Sequence, residues 1–341
     1  MAGAGPGSGN RNPHLEVGVV SNLNFAAYGL IWRMPMRCPE LRAAPTGSGV
    51  DVSVQYSELP PPSAQAVAAG PLRQVTPGEA RFGLPGVARL MVRGGNEILI
   101  ERQPEADDDM VRLLLLGTGM ALLLHQRGLL PLHASAIVAP AGAILFMGHS
   151  GAGKSTLLNE FMRRGYPMLA EDLAAVRLAA DGAAWVEPGV QTTKLWADSA
   201  AVLGQSTDGL ARVRPELEKF LVPVEGPLAA APAPLAAIYT LASHNQPTIT
   251  LEERRDARKF NALLDHTWQK LVVKRMGLHG AHFQRAIAVA NQARIVRVQR
   301  PDEGFQLKEL ADAIEADFTA DLQSPISSLQ SPTSGRLEIG D

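Results

Sequence analysis

The stretch Gly148-His149-Ser150-Gly151-Ala152-Gly153-Lys154-Ser155 satisfies the pattern G-x-x-x-x-G-K-[ST], and it restricts the fold more than any other part of the chain. Such a loop belongs between a buried strand and the first turn of a helix. The apolar run AILFM precedes it and the helix-compatible run STLLNEFMRR follows. In that setting glycines let the backbone turn its N–H groups toward phosphate oxygens, and the helix N-terminus adds partial positive charge. Gly148, Ser150, Gly151, Ala152, Gly153, Lys154, Ser155 and Thr156 are therefore expected to form a phosphate cradle for ATP or GTP. Lys154 would reach the β- and γ-phosphates and the Ser155 hydroxyl would hold Mg2+. His149 reads as a solvated loop residue.

Beside this motif, composition mainly excludes. At 341 residues the chain has room for one large or two modest domains. A net charge of −2 offers no attraction to nucleic acid or to an anionic membrane, so neither is an expected partner. The single cysteine, Cys38, forms no internal disulfide and founds no cysteine-based metal site, which fits a reducing cytoplasm. The start, MAGAGPGSGN, has neither the basic residues nor the apolar core of a signal peptide. The most apolar stretch, LLLLGTGMALLL at 113–124, is shorter than the roughly 20 residues a bilayer requires. A soluble cytoplasmic protein is expected.

The Gly-rich residues 1–14 and the Ser/Pro-rich residues 321–341 lack hydrophobic periodicity and read as disordered tails. Residues 15–105 read as a small β-rich N-terminal domain: VDVSVQY (50–56) alternates at period two, and 87–92 with 97–101 form a hairpin. A helix over 106–127 opens the remainder, and Asp107, Asp108 and Asp109 suit its first turn as a helix start rather than a ligand cluster. Within 106–320, the expected catalytic domain, strands are read at 134–138 and 143–147. A helix at 155–164 ends at Gly165, and a strand follows at 167–170. Further strands at 235–242 and 248–253 lead into basic helical segments over 256–292. The class is α/β.

The flanks of the cradle bear on what happens to a bound phosphate. Glu171 and Asp172 lie 17 and 18 positions past Lys154, directly after a short strand. Beside the cradle, one carboxylate would hold Mg2+ while the other accepts a proton from an attacking hydroxyl. A solvated acidic turn is the plain alternative. His133, in LPLHASAI, starts the strand before the cradle, where a lone histidine is more often structural.

Residues 128–178 resemble the catalytic domain of HPr kinase/phosphorylase and the wider group of bacterial HPr-kinase-like serine kinases. Three spacings carry the resemblance: His133 fifteen residues before Gly148, Arg164-Gly165 closing the helix, and the acidic pair at Glu171-Asp172. It implies a P-loop kinase core of the HPr kinase/PEP carboxykinase type with a small β-rich N-terminal domain. It implies an ATP- and Mg-dependent serine kinase acting on a protein or ribosomal precursor peptide, of the kind found in lasso-peptide clusters. Lys154 would position the γ-phosphoryl group, Ser155 with Glu171 would hold the metal, and Asp172 would accept the serine proton. His133 would orient that carboxylate or the phosphate. A homo-oligomer is implied too. The chain departs from the family in carrying Glu-Asp where Asp-Asp is usual, and the downstream signature E-[IV]-R-G-x-G is absent. Its nearest stand-in, VEPGVQTTKLW, nominates Glu187 as a further metal-side carboxylate and Lys194 as a phosphate contact. Without that signature, neither phosphorylase activity nor HPr itself is expected. Lys219, Arg275 and Arg285 are candidates for an additional cation at the transferring group. Two other classes stay open: a nucleotide-binding regulatory module, and a small-molecule kinase.

Overall fold

Period-two patterning builds the first sheet. In Val52–Tyr56 the valines at 52 and 54 are fully buried, while Ser53 and Gln55 are not. Nine strands from Leu23–Ala27 to Glu97–Arg102 form this sheet, antiparallel apart from the two joints that Val52–Tyr56 makes with Leu30–Met34 and Glu97–Arg102. The computed structural model describes residues 23–323 apart from 70–72, 211, 214–216, 223, 225, 303 and 305. The expected tail at 1–14 lies outside the described residues. So does the expected tail at 321–341 beyond residue 323, where the helix Leu307–Gln323 ends.

The helix expected over 106–127 forms in three pieces: Asp108–Leu114, a π-helical turn at Leu115–Gly119, and Met120–Gln126. Asp107 caps it by accepting from the Asp109 N–H at 2.7 Å, while Asp108 and Asp109 pair with Arg102 and Arg112. Its buried residues Val111, Leu115, Met120 and Leu123 share one core with Trp32, Val54, Leu90 and Ile100 of the sheet. The helix thus packs with the N-terminal sheet, although sequence reading put it at the head of the following unit. Cys38 lies in this same core, where burial pushes its thiol up to about 12.

The second sheet explains why AILFM has no polar alternation. Ile144 and Phe146 face one core, with Leu157, Phe161, Tyr239 and Phe318. Ala143, Leu145 and Met147 face another, with Ile238, Leu263, Val289 and Ile295. Both faces are covered, so every residue of Gly142–Met147 is buried. Helices Lys154–Arg163 and Leu307–Gln323 lie on the first side, and Ala257–Asp265 and His279–Gln292 on the second. Gly142–Met147 pairs antiparallel with Ala134–Ala139 and parallel with Ala233–His244, which is parallel in turn to Arg294–Pro301. A separate hairpin, Thr193–Trp196 with Lys219–Val222, hangs beside the helix that follows the cradle. Among the described residues no helix is long and apolar enough to cross a membrane.

The turn between Ala134–Ala139 and the cradle strand depends on Gly142. Its φ is +127°, and an added Cβ would sit 2.3 Å from the Pro234 carbonyl oxygen. Backbone contacts of that kind do not yield without moving a strand. Gly142→Ala is expected to lower unfolding stability by about 2 kcal/mol or more, read as a lower urea midpoint at unchanged slope.

Candidate active site

The loop leaves Gly142–Met147 and enters Lys154–Arg163 through two left-handed glycines, Gly151 (φ 82°) and Gly153 (φ 98°). Gly148 lacks a side chain for a different reason. A Cβ there would lie 2.8 Å from Ala152 Cβ and 3.0 Å from the Leu241 carbonyl oxygen. The Lys154 ammonium folds back over this tight loop and donates to the carbonyls of Gly148 (2.8 Å) and His149 (3.1 Å). Lys154 is 7% exposed, and burial draws its pKa down to about 8 against the opposing pull of Asp172 and Glu171.

Glu171 and Asp172 follow Met168–Ala170, the strand beside Ala134–Ala139. Asp172 breaks the extended path with φ +67°, a left-handed conformation that costs an L-residue roughly 1 kcal/mol and that Asp tolerates better than most. The two consecutive carboxylates meet different partners. Glu171 Oε1 accepts from the Ser155 hydroxyl at 2.6 Å. Asp172 Oδ1 lies 3.2 Å from His133 Nδ1, and Oδ2 lies 3.2 Å from Lys194 Nζ.

Asp172 is held by its backbone too. Its carbonyl accepts from Trp268 Nε1 at 3.0 Å and lies 3.0 Å from His133 Nδ1. Both groups near that ring nitrogen are acceptors, which assigns the proton to Nδ1. Trp268 is itself positioned from both units: its carbonyl is 2.8 Å from His125 Nε2, on the helix packed with the N-terminal sheet, and its backbone N–H donates at 3.1 Å to the carbonyl of Pro131 in the second sheet. Burial pulls the His125 pKa down to about 3 and keeps that ring neutral. The Trp268 ring stands edge-on to His133, 5.4 Å between centroids.

These environments drive the paired carboxyls apart. Burial and the Asp172 charge raise the Glu171 pKa, with Lys194, Lys219 and the Ser155 hydrogen bond opposing. Burial alone would raise Asp172 as well, but Lys194, His133 and Lys219 outweigh it and hold that carboxyl well below the usual range. Lys194 gains correspondingly: burial lowers its pKa, and the charges of Asp172 and Glu171 more than restore it.

His133, Lys154, Ser155, Thr156 and Asp172 line one cleft with Ser150, Gly151 and Gly153. Alternation along Thr193–Trp196 gives this cleft Lys194 and Trp196 and sends Leu195 into the core. Lys219, opposite Trp196 in the hairpin, completes the wall, with its Nζ 5.9 Å from the indole centre. Of the three cations nominated from sequence, only Lys219 lines the cleft. Arg285 lies against Gly128, and Arg275 ends the helix Lys270–Arg275. Glu187 is not brought in either. Register pairs it with Ala175, its Oε1 accepts from Arg177 Nε at 2.6 Å, and its Oε2 lies 3.1 Å from where a Cβ on Gly29 would stand. It therefore lies against the N-terminal sheet at Gly29 and does not line the cleft. Sequence reading missed Trp196, which lines the cleft, and Trp268, which holds the Asp172 carbonyl, since no spacing links either indole to its place there.

No family model matches this chain, and no curated protein does. Among solved structures the chain is similar to the Hpr(Ser) kinase/phosphatase from Coxiella burnetii, with a TM-score of 0.28 and 9% identity. The match covers 56% of this chain and 98% of that one, a distant relation in structure.

Lys154 makes the site testable through stability. Its folded pKa of about 8 lies below the ordinary 10.5, so between those values the unfolded chain holds a proton that the folded site has lost. The cost of burying the charged ammonium is present in full below pH 8 and fades as pH rises toward 10.5. Stability of the wild type relative to Lys154→Met should therefore rise across that window, by on the order of 3 kcal/mol at most, in paired urea titrations.

Proposed function

We propose that this protein is an ATP- and Mg2+-dependent kinase that transfers the γ-phosphoryl group to a serine hydroxyl of a protein or peptide. One observation carries the reading: two consecutive carboxylates beside the cradle are divided between the Ser155 hydroxyl on one side and the His133/Lys194 pair on the other. A protein that only held nucleotide would need the first arrangement and not the second.

The donor set fits Mg2+. Among the described residues there is no cluster of three or more His, Cys, Asp or Glu, but this ion is usually held by one or two carboxylates together with substrate phosphates and water. Ser155 and Glu171 would hold it, and it would neutralise charge on the phosphate oxygens. Lys154 exchanges the two loop carbonyls for phosphate oxygens, a trade of neutral acceptors for charged ones that favours its protonated form. Lys219 adds positive charge from the opposite wall.

Asp172 faces the incoming hydroxyl. As the serine oxygen bonds to the γ-phosphorus, the bond from phosphorus to the bridging oxygen breaks and ADP departs. The hydroxyl proton passes to Asp172. Phosphoryl transfer proceeds through a loose transition state in which that proton moves late, so an ionised carboxylate serves chiefly to orient the nucleophile. His133, with its proton on Nδ1, fixes one carboxylate oxygen, and Lys194 fixes the other.

Asp172→Asn keeps the shape and removes the acceptor. Transfer to a serine peptide should fall by about 10²–10⁴-fold while ATP affinity persists. Full transfer in this variant, or loss of ATP binding, would overturn the assignment. Because Lys194 is the foremost charge holding the Asp172 carboxyl down, Lys194→Met should move the acid limb of the kcat/KM profile to higher pH.

A further inference from the structure

A second cavity, of about 350 Å³, lies on the far side of Asp172 from the cradle. Glu171, Asp172 and Lys194 line it, and Asp172 and Lys194 line the cleft as well, so these side chains form a partition between the two spaces. The opposite wall comes from the N-terminal unit: Met110, Leu113, Leu116 and Gly117 of the capped helix and its π turn. Val190 and Leu221 contribute further apolar surface.

Three features define what this space accepts. Its size is at the lower end of ligand pockets, roughly 300–1,000 Å³, and far exceeds the need of a serine hydroxymethyl group, which displaces about one water of ~30 Å³. Its charges are neutralised in place: Arg112 by Glu40 (3.1 Å) and Asp109 (2.6 Å), Lys194 by Asp172. Arg212 pairs with Glu218 (3.5 Å), Asp107 accepts from the Asp109 N–H and Glu171 from the Ser155 hydroxyl, so each charged group of the lining already has a partner, and apart from Gly117 and Thr192 the rest of the lining is apolar. Finally, the wall has a gap in it by construction. Gly117 sits in the π turn Leu115–Gly119, its φ is not positive, and a Cβ there would meet nothing within 4 Å. Turns of this kind recur at functional sites because they re-aim a helix wall.

We infer that this cavity receives a bulky apolar side chain adjoining the acceptor serine, so that the helix packed on the N-terminal sheet selects the acceptor. The inference rests on the kinase reading above. With the serine oxygen at Asp172, the neighbouring side chain enters between Leu113, Leu116 and Gly117. Burial of a Leu- or Phe-sized group there favours such acceptors by about tenfold or more over Gly at the same position.

The test uses the full-length protein, ATP labelled at the γ-phosphate, Mg2+, and a pool of short peptides with one fixed central serine and randomised neighbours. Sequencing the phosphorylated fraction should show enrichment of Leu, Met or Phe beside the serine. Gly117→Phe fills the gap without backbone strain and should abolish that enrichment, with folding checked by circular dichroism and thermal melting. Should Gly117→Phe fail to fold, Leu113→Ala enlarges the same space and should shift selection toward Trp. Transfer without apolar selection, or selection unchanged in the folded variants, would refute the assignment of this cavity and leave the kinase reading standing. ATP binding with no transfer to any member of the pool would overturn the peptide-kinase reading, and this inference with it.

Discussion

Everything at the cleft depends on how Asp172 is held. Its backbone is left-handed, its carbonyl is gripped by the Trp268 indole and its carboxylate is shared by His133 and Lys194. The conformational cost, roughly 1 kcal/mol, is offset because charge-assisted hydrogen bonds in a buried site are worth more than neutral ones. The partners come from separate segments: a strand start, a hairpin strand and the loop after Ala257–Asp265. Displacing His133 or Lys194 leaves the carboxylate with one fewer counterpart, and displacing Trp268 frees the backbone carbonyl, so the geometry is maintained as a unit.

That unit also ties the two sheets together. Trp268 is fixed by His125 on the helix packed to the N-terminal sheet, and Tyr28 from the first hairpin donates to the Leu173 carbonyl at 3.3 Å. Leu173, which follows the acidic pair, is thus anchored to the N-terminal unit directly, and Asp172 through Trp268. Glu187, paired with Arg177 beside Gly29, belongs to this junction and does not line the cleft.

Local signals made part of this legible in advance. The strand, loop and helix of the cradle follow from glycine placement and apolar runs: the observed Gly142–Met147 begins one residue before the expected strand, and Lys154–Arg163 is shifted by one residue from the expected helix. The acidic pair was legible because it lies one short helix and one short strand beyond the loop, a distance too small for tertiary structure to rearrange. Glu187 failed the same reasoning: between it and the pair stands a hairpin, whose register turns a side chain to one face or the other on a single residue. Lys219 and the two indoles depend on how distant segments meet, which no periodicity encodes. What the helix after residue 106 packs against was illegible for a related reason, and its core takes in Leu173, Ala175 and Val272 of the following unit as well as the N-terminal sheet. Its apolar stripe announces burial, and a stripe does not say against which sheet.

Two lysines that line the same cleft behave oppositely. Lys154 is offered only carbonyl oxygens, so burial dominates and its pKa falls to about 8. Lys194 is nearly as deeply placed, yet Asp172 and Glu171 supply enough negative charge to raise it. The first lysine is the under-compensated cation of the pair, and on the proposed kinase reading phosphate oxygens would supply what its carbonyl partners lack. The second is satisfied already and serves to keep Asp172 ionised. On the proposed kinase reading, attraction for phosphate concentrates at the loop, where Lys154 is under-compensated, and not at Lys194, which Asp172 already neutralises.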